Sequence, residues 1–306
     1  MDNYHIPVLL EEVIEGLNLK DGSTFVDGTL GGAGHSSEIL ARYNNIRLIA
    51  FDRDKEAIEH SKKRLQAYEK QISLNHTNYK NIPTVLEGKD LKVDAILLDL
   101  GVSSHQIDDS SRGFSFRFDG VLDMRMNTDE TLTASMVVNE YSEEQLANVI
   151  YNYGEERLSR KIAKDIVQAR PVETTLQLKE IVEKCVSRYN RREVKSSIQR
   201  VFQAIRIEVN DELNGLYDLI IDLPNYLNKG GRMAIITFHS LEDRIVKQAF
   251  NELSTNCVCP PNIPICVCGH KAKAKLINKK PIVAKNEELK LNSRSSCAKL
   301  RVLEKI

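Results

Sequence analysis

A turn of closely spaced glycines, Asp27-Gly28-Thr29-Leu30-Gly31-Gly32-Ala33-Gly34-His35-Ser36, constrains the fold of this chain more than any other stretch. It lies between Ser23-Thr24-Phe25-Val26, short and apolar enough for a buried strand, and Ser37 to Tyr43, which has helical spacing. Glycines at such a crossing give the backbone conformations that a Cβ resists and let it approach a ligand closely. In dinucleotide enzymes this turn seats a pyrophosphate on the helix N-terminus. Asp27 at the strand end argues for a ligand without phosphate there, because two anions repel. A purely structural turn is the other reading.

The alternation continues. A strand from Arg47 to Phe51 ends in Asp52-Arg53-Asp54, and a charged helix from Lys55 to about Lys70 follows. A weak strand at Ile72 to Leu74 and a strong one from Val93 to Leu98 complete the set. Strands alternating with helices imply an α/β domain of parallel βαβ units with right-handed crossovers. Asp52, 18 residues after Gly34, closes the second strand where a carboxylate accepts hydrogen bonds from ribose hydroxyls. Tyr79, after the third strand, is placed to stack on an adenine or simply to pack half-buried. Asp99 ends the fourth, at the crevice of an open sheet. Burying that acid for structure alone is costly without good hydrogen bonds, so a functional role is favoured. The glycine turn with Asp27 and the carboxylate of Asp52 together point to a nucleoside cofactor, and methyltransferases use such a turn for the methionine part of S-adenosylmethionine, which carries no phosphate.

After Leu98 the rhythm breaks. Residues 105–120 are irregular, and helical signals follow: Ser142-x-x-Gln145 and Thr174-x-x-Gln177 are both capping boxes, and Arg170-Pro171 separates two helices. Strand character returns only at Arg232 to Phe238, after Gly230-Gly231. The expected organisation is therefore residues 1–106 and 210–306 as one α/β domain, with 107–209 as a helical insertion. A formal net charge of zero excludes a uniformly cationic nucleic-acid binder, but the charge is uneven. Glu156 to Arg206 carries 13 Lys/Arg against 6 Asp/Glu, and Lys271 to the end carries 11 against 3. Two basic zones suggest a polyanion bound at a defined place, with solvated helix faces as the alternative. No apolar run is long enough for a membrane span and no signal-peptide layout opens the chain, so a cytoplasmic protein is expected.

Further along, several unusual runs resemble one family. His5-x-Pro7-Val8-Leu9, the Asp27–Ser36 turn, Asp52-x-Asp54, Asp99-Leu-Gly-Val-Ser-Ser104 with Gln106, Arg112-Gly-Phe-Ser-Phe116 and Leu122-Asp-Met-Arg-Met126 are similar to its blocks. So are Phe202-Gln-Ala-Ile-Arg-Ile207 with Asn210, Phe238-His-Ser-Leu-Glu-Asp-Arg244 and Lys299-Leu-Arg-Val302. The chain resembles the RsmH/MraW family of small-subunit (16S) ribosomal RNA cytosine-N4 methyltransferases nearly end to end. The resemblance implies a class I, Rossmann-like methyltransferase domain interrupted by a helical substrate-recognition domain. It places S-adenosyl-L-methionine contacts on Ala33, Gly34, His35, Asp52, Tyr79, Asp99 and Gln106. It makes the substrate a cytidine of the decoding region, within 16S ribosomal RNA and the small subunit. Ala33 departs from a glycine common in the family, tolerable provided φ stays negative. Ser196-Ser197 replace a His-Pro, Val121 replaces a proline, and Asn292 to Ala298 lacks one arginine of an Arg-Ser-Arg-Ser run.

A cytosine amine is a poor nucleophile, since its lone pair is delocalised into the ring. An acceptor for its hydrogens offsets the charge that develops on nitrogen, and Asp99 is the best-placed one. His239 and Glu242, beyond the last strong strand, reach the same sheet edge; one of them positions the base or relays its proton, or they merely cap and pack. Arg112, Arg117, Arg125, Arg206 and Arg244 are candidates for phosphate or base contacts. Cys257-x-Cys259-Pro-Pro-x4-Cys266-x-Cys268 could hold one tetrahedral zinc, against a proline-stiffened loop with incidental thiols. Other readings are a methyltransferase for another RNA or DNA amine, and an assembly factor that binds without turnover. A nicotinamide-dependent dehydrogenase fits worse, because the glycine spacing departs from Gly-x-Gly-x-x-Gly.

Overall fold

The computed structural model describes residues 7–257, 259, 265 and 267–306. His5 and Cys266 lie outside the described residues. The chain divides into two compact units, one made of the residues up to Gly101 with Leu213–Ile306, the other Val102–Glu212.

In the first unit seven strands form one sheet: β1 (Thr24–Asp27), β2 (Arg47–Asp52), β3 (Ile72–His76), β4 (Val93–Asp99), β5 (Leu227–Thr237), β6 (Ala274–Leu276) and β7 (Lys299–Lys305). Their order is β3-β2-β1-β4-β5-β7-β6; the first five are parallel, and β7 runs antiparallel to both β5 and β6. This is the Rossmann-like, class I methyltransferase architecture, with the strand order reversing beside β1 and β4. The strands read as nearly continuous apolar runs because both faces are covered. Phe25, Leu48, Ala50, Ala95, Leu97 and Ile236 belong to one apolar layer, while their neighbours Val26, Ile49, Phe51, Ile96, Leu98 and Ile235 belong to the other. Each such large side chain contributes about 1.5–3 kcal/mol of burial.

The early helices are α1 (Leu10–Leu17), α2 (Gly34–Arg42), α3 (Lys55–Arg64) and α4 (Ile82–Glu87). Asp54 caps α3 by accepting from Glu56 N–H at 3.0 Å. The helix stops at Arg64, short of the expected Lys70, and the chain continues as 3₁₀ turns over Gln66–Gln71, broken at Tyr68 (φ −112°). Gly230-Gly231 proves to be part of β5 and not a turn before it. The ladder shifts register there, with Val93 opposite Leu227 and Ala95 opposite Arg232, so the glycine pair makes an irregularity within a strand.

The second unit is helical: α5 (Ser104–Asp108), α6 (Ala134–Glu140), α7 (Glu143–Gly154), α8 (Ser159–Gln168), α9 (Thr175–Ser187) and α10 (Val194–Asn210). Capping boxes start α7 at Ser142 and α9 at Thr174, as their spacing predicts. Three of the unusual sequence blocks tie together inside this unit. Arg112 is buried and donates through Nη2 to the carbonyls of Arg125 and Met126, both at 3.0 Å. Met124 N–H donates back to Arg112 O at 3.0 Å. Asn210 accepts from Met126 N–H at 2.7 Å and donates to Met124 O at 2.7 Å and Arg206 O at 2.9 Å. Phe116 and Phe202 meet edge to face at 5.4 Å. Gly113 (φ +73°) is obligatory in this knot, since a Cβ there would lie 2.1 Å from Val121 O.

The first unit is completed by α11 (Leu216–Asp222), α12 (Ser240–Ser254) and α13 (Asn286–Leu291). Two further blocks meet here: Asp243 of α12 accepts from Arg301 Nε at 2.8 Å and Lys299 Nζ at 3.1 Å, both on β7.

Replacing Asn210 with alanine strands a buried N–H and two carbonyls, so N210A should lose about 3 kcal/mol of stability. Urea unfolding followed by circular dichroism measures it, and a variant within 0.5 kcal/mol of the parent, roughly the noise of a surface change, refutes the structural role.

Candidate active site

β1, β2 and β4 each end in an acid, and their carboxyl ends share one edge of the parallel sheet. Asp27 organises the glycine turn: its Oδ1 accepts from Thr29 N–H at 3.1 Å and its Oδ2 from Ser36 Oγ at 2.6 Å. Asp52 accepts from Gly31 N–H at 2.7 Å and Asp54 N–H at 2.8 Å. Thr29 Oγ1 accepts from Asp99 N–H at 2.6 Å, locking the turn to the tip of β4. Thr29 and Ser36 stand inside the glycine turn, but only the fold shows that they bridge it to β4 and Asp27.

The turn is tight. A Cβ on Gly28 would come 2.4 Å from Leu98 Cδ2 and 3.2 Å from Tyr79 Cβ, and one on Gly34 would come 2.7 Å from Pro7 Cγ. Ala33 is fully buried and takes φ +58°, which corrects the expectation of a negative φ. Its methyl fits, at a conformational cost of about 1 kcal/mol where glycine would have none. Tyr79 opens a 3₁₀ turn after β3, capped by Asn78 Oδ1, which accepts from Lys80 N–H at 3.0 Å; it is half-buried against the second apolar layer.

The electrostatics are those of crowded acids. Burial pushes Asp27 and Asp52 up to about 6. Asp99 is pushed from the ordinary 3.8 up to about 8, by burial first and then by the Asp27 and Glu242 carboxylates. His35 Nε2 donates to Val8 O at 2.9 Å, which turns Nδ1 toward Asp99 Oδ2 at 3.8 Å. Asp99 Oδ1 is buried with no hydrogen-bond partner among the described residues. Cost of this kind persists where a ligand relieves it. A cation that also carries N–H or O–H donors fits a crevice of this make-up, and S-adenosylmethionine is such a molecule: its sulfonium supplies the charge, its ammonium and ribose hydroxyls the donors.

At the neighbouring strand end, His239 caps α12. Its Nδ1 accepts from Glu242 N–H at 3.4 Å and its Nε2 lies 3.1 Å from Glu242 Oε1, while Glu242 Oε2 accepts from Phe238 N–H at 2.9 Å. Gln106 lies in the second unit, where its Oε1 accepts from Ser103 N–H at 3.0 Å in the capping box of α5. Three of the five arginines are engaged within that unit. Arg112 holds the knot described above, Arg125 grips Asp123 and the carbonyls of Thr128 and Glu130, and Arg206 pairs with Glu212 at 2.8 and 2.9 Å. Arg117 is exposed beside Phe118, and Arg244 is exposed on α12. Among the described residues no helix is long and apolar enough to cross a membrane.

The sequence model of the MraW methylase family matches residues 2–306. The chain belongs to the MraW methylase family. Relatives in it are closely similar: the ribosomal RNA small subunit methyltransferase H of Clostridium botulinum (strain Kyoto / Type A2) is 53% identical, with all of both chains covered. The protein of the same name from Finegoldia magna is 48% identical, again over all of both chains. A solved structure of a rRNA-methylase from Clostridium thermocellum, titled as putative, aligns with 99% of this chain and 100% of its own at 12% identity and a TM-score of 0.44. As a member of the MraW methylases the protein is a methyltransferase that uses S-adenosylmethionine.

Because Asp99 has a folded pKa above its unfolded one, its contribution to stability is present at low pH and is lost as pH rises from about 4 to about 8. D99N, which cannot ionise, should therefore melt about 2 °C or more above the parent at pH 8.5 without ligand, with the gap closing toward pH 4. Melting curves that stay parallel between pH 4 and 8.5 would refute the assignment.

Proposed function

We propose that this protein transfers the methyl group of S-adenosylmethionine to the N4 exocyclic amine of a cytidine in the decoding region of small-subunit (16S) ribosomal RNA. The observation that carries the reading is Asp99, an acid at the tip of a central strand with one buried oxygen unpartnered among the described residues. Full-length similarity to proteins named for small-subunit ribosomal RNA supports the substrate class.

When bound, S-adenosylmethionine supplies an electrophilic methyl group on a sulfonium. Ala33 and Gly34 offer it backbone at a close-packed turn. Asp52 has lone pairs left for ribose hydroxyls after its two backbone bonds, and Tyr79 has an aromatic face for adenine. The resemblance adds Gln106 of the second unit to the candidate cofactor contacts. A positive charge nearby lowers the pKa of Asp99 and leaves it ionised. The ionised Asp99 accepts a hydrogen bond from the cytosine amine, which turns the nitrogen lone pair outward and balances its developing charge. The nitrogen gains a methyl group and loses one proton, and a carboxylate tuned near neutral pH is a competent acceptor for it. His239, fixed by Glu242, acts as a positioning residue for the base. The helical unit, with its basic run from Glu156 to Arg206, is the substrate-recognition domain; Arg117 in that unit and Arg244 on α12 are exposed candidates for phosphate contacts, and Arg112, Arg125 and Arg206 act through the framework of the helical unit. Three acids at the crevice, Asp27, Asp52 and Asp99, argue against an assembly factor without turnover, which has no need of the full set.

Mass mapping of cytidines in 16S ribosomal RNA from cells with and without the protein tests the assignment. One N4-methylated cytidine of the decoding region should lose its methyl group without the protein and regain it with the parent but not with D99N. Labelled methyl transfer to naked RNA, assembled small subunits and DNA separates the substrates. A DNA product, or RNA maps that do not differ, would contradict the proposal.

A further inference from the structure

The cysteines after α12 play no part in the crevice chemistry. Between the end of α12 at Ser254 and the start of β6 at Ala274 the chain folds back on itself. Three hydrogen bonds close the base of this loop. Lys273 N–H donates to Leu253 O at 2.8 Å, His270 Nε2 donates to Glu252 O at 2.9 Å, and Ala272 N–H donates to Asn256 Oδ1 at 3.2 Å. The closure brings Cys268 Sγ to 3.9 Å from Cys257 Sγ. The sulfur atoms of Cys257, Cys259 and Cys268 all lie within 4.8 Å of one another, and none is in a disulfide.

The spacing is informative. A disulfide would hold two sulfurs about 2.05 Å apart. A tetrahedral zinc with Zn–S bonds of about 2.3 Å sets its ligand sulfurs about 3.8 Å apart, close to the separation of Cys257 and Cys268. Packing does not account for the cluster either. Cys185, buried in the apolar core of the helical unit, shows what a packing cysteine looks like here, whereas Cys257 and Cys268 are exposed. Three thiols converging at a surface loop have no apolar layer to join, and a soft cation is what thiolates in this arrangement select.

We propose that Cys257, Cys259 and Cys268 bind one zinc ion as thiolates. The site is structural: it fastens the end of α12 to the segment entering β6, at the edge of the sheet. Cys266 lies outside the described residues, and the site does not depend on it. Zinc displaces the three thiol protons, so affinity rises with pH.

The test uses the full chain purified without chelators. Elemental analysis should find one zinc per chain, kept in C185S and C297S and reduced at least tenfold in C257S, C259S and C268S. Cobalt(II) loaded into the parent protein should give the intense thiolate-to-cobalt absorption and the visible bands of a tetrahedral site. That readout does not depend on whether the serine variants fold. A strong chelator should lower the melting temperature of the parent by several degrees and leave that of C268S unchanged. Parent protein that carries no zinc and shows no cobalt–thiolate absorption overturns the proposal, as does a Cys257–Cys268 disulfide in protein prepared under reducing conditions.

Discussion

Acidic side chains held where water solvates them poorly are the constraint around which the sheet unit is arranged. Asp27, Asp52 and Asp99 stand at the same end of neighbouring parallel strands, and each is pushed above its ordinary pKa by burial. The first two recover part of that cost through hydrogen bonds from the glycine turn and Ser36. Asp99 recovers less, since its Oδ1 has no partner among the described residues and Glu242 adds a second negative neighbour. The glycine turn, the capped start of α12 and the Thr29 bridge are the means by which the fold keeps these groups together. A methyltransferase gains from this in two ways: a crevice that favours a cation, and an acceptor whose basicity suits a proton lost near neutral pH.

Elsewhere in the chain, sequence blocks that look like a list of contacts turn out to be mostly framework. Arg112, Met124, Met126 and Asn210 form one buried hydrogen-bonded knot, and Asp243 joins Arg301 and Lys299 across α12 and β7. A guanidinium that satisfies buried carbonyls cannot be removed without exposing them, so such residues are constrained for stability as strongly as any catalytic group. Clustered arginines are thus not all candidates for contacts with a polyanion.

The parallel sheet was legible because doubly covered strands leave short, nearly continuous apolar runs, and the acid-ended tips followed from where those runs stop. The capping boxes at Ser142 and Thr174 were legible because a local side-chain pattern alone determines them. Ser103-x-x-Gln106 has the same pattern and forms a third such box, with a glutamine that the resemblance assigns to the cofactor. What depends on distant partners was hidden. The passage of β5 through Gly230-Gly231 needs β4 beside it, the positive φ of Ala33 is set by the packing of the turn, and the engagement of Arg112, Arg125 and Arg206 needs the folded helical unit. The spacing of Cys257, Cys259 and Cys268 suggests that they converge, but the hydrogen bonds from His270 and Lys273 to the end of α12 that hold their segment there are visible only in the fold.

The central claim is that the strand-tip acids recognise the charge on sulfur. Calorimetric titration at pH 7.5, in buffers of different ionisation enthalpy, measures it through the protons exchanged on binding. S-adenosylmethionine should release a substantial fraction of a proton per molecule bound, as Asp99 ionises beside the sulfonium. S-adenosylhomocysteine, with a neutral sulfur, should release far less. Identical proton exchange for the two ligands, or no uptake of S-adenosylmethionine by the folded protein, would contradict the account.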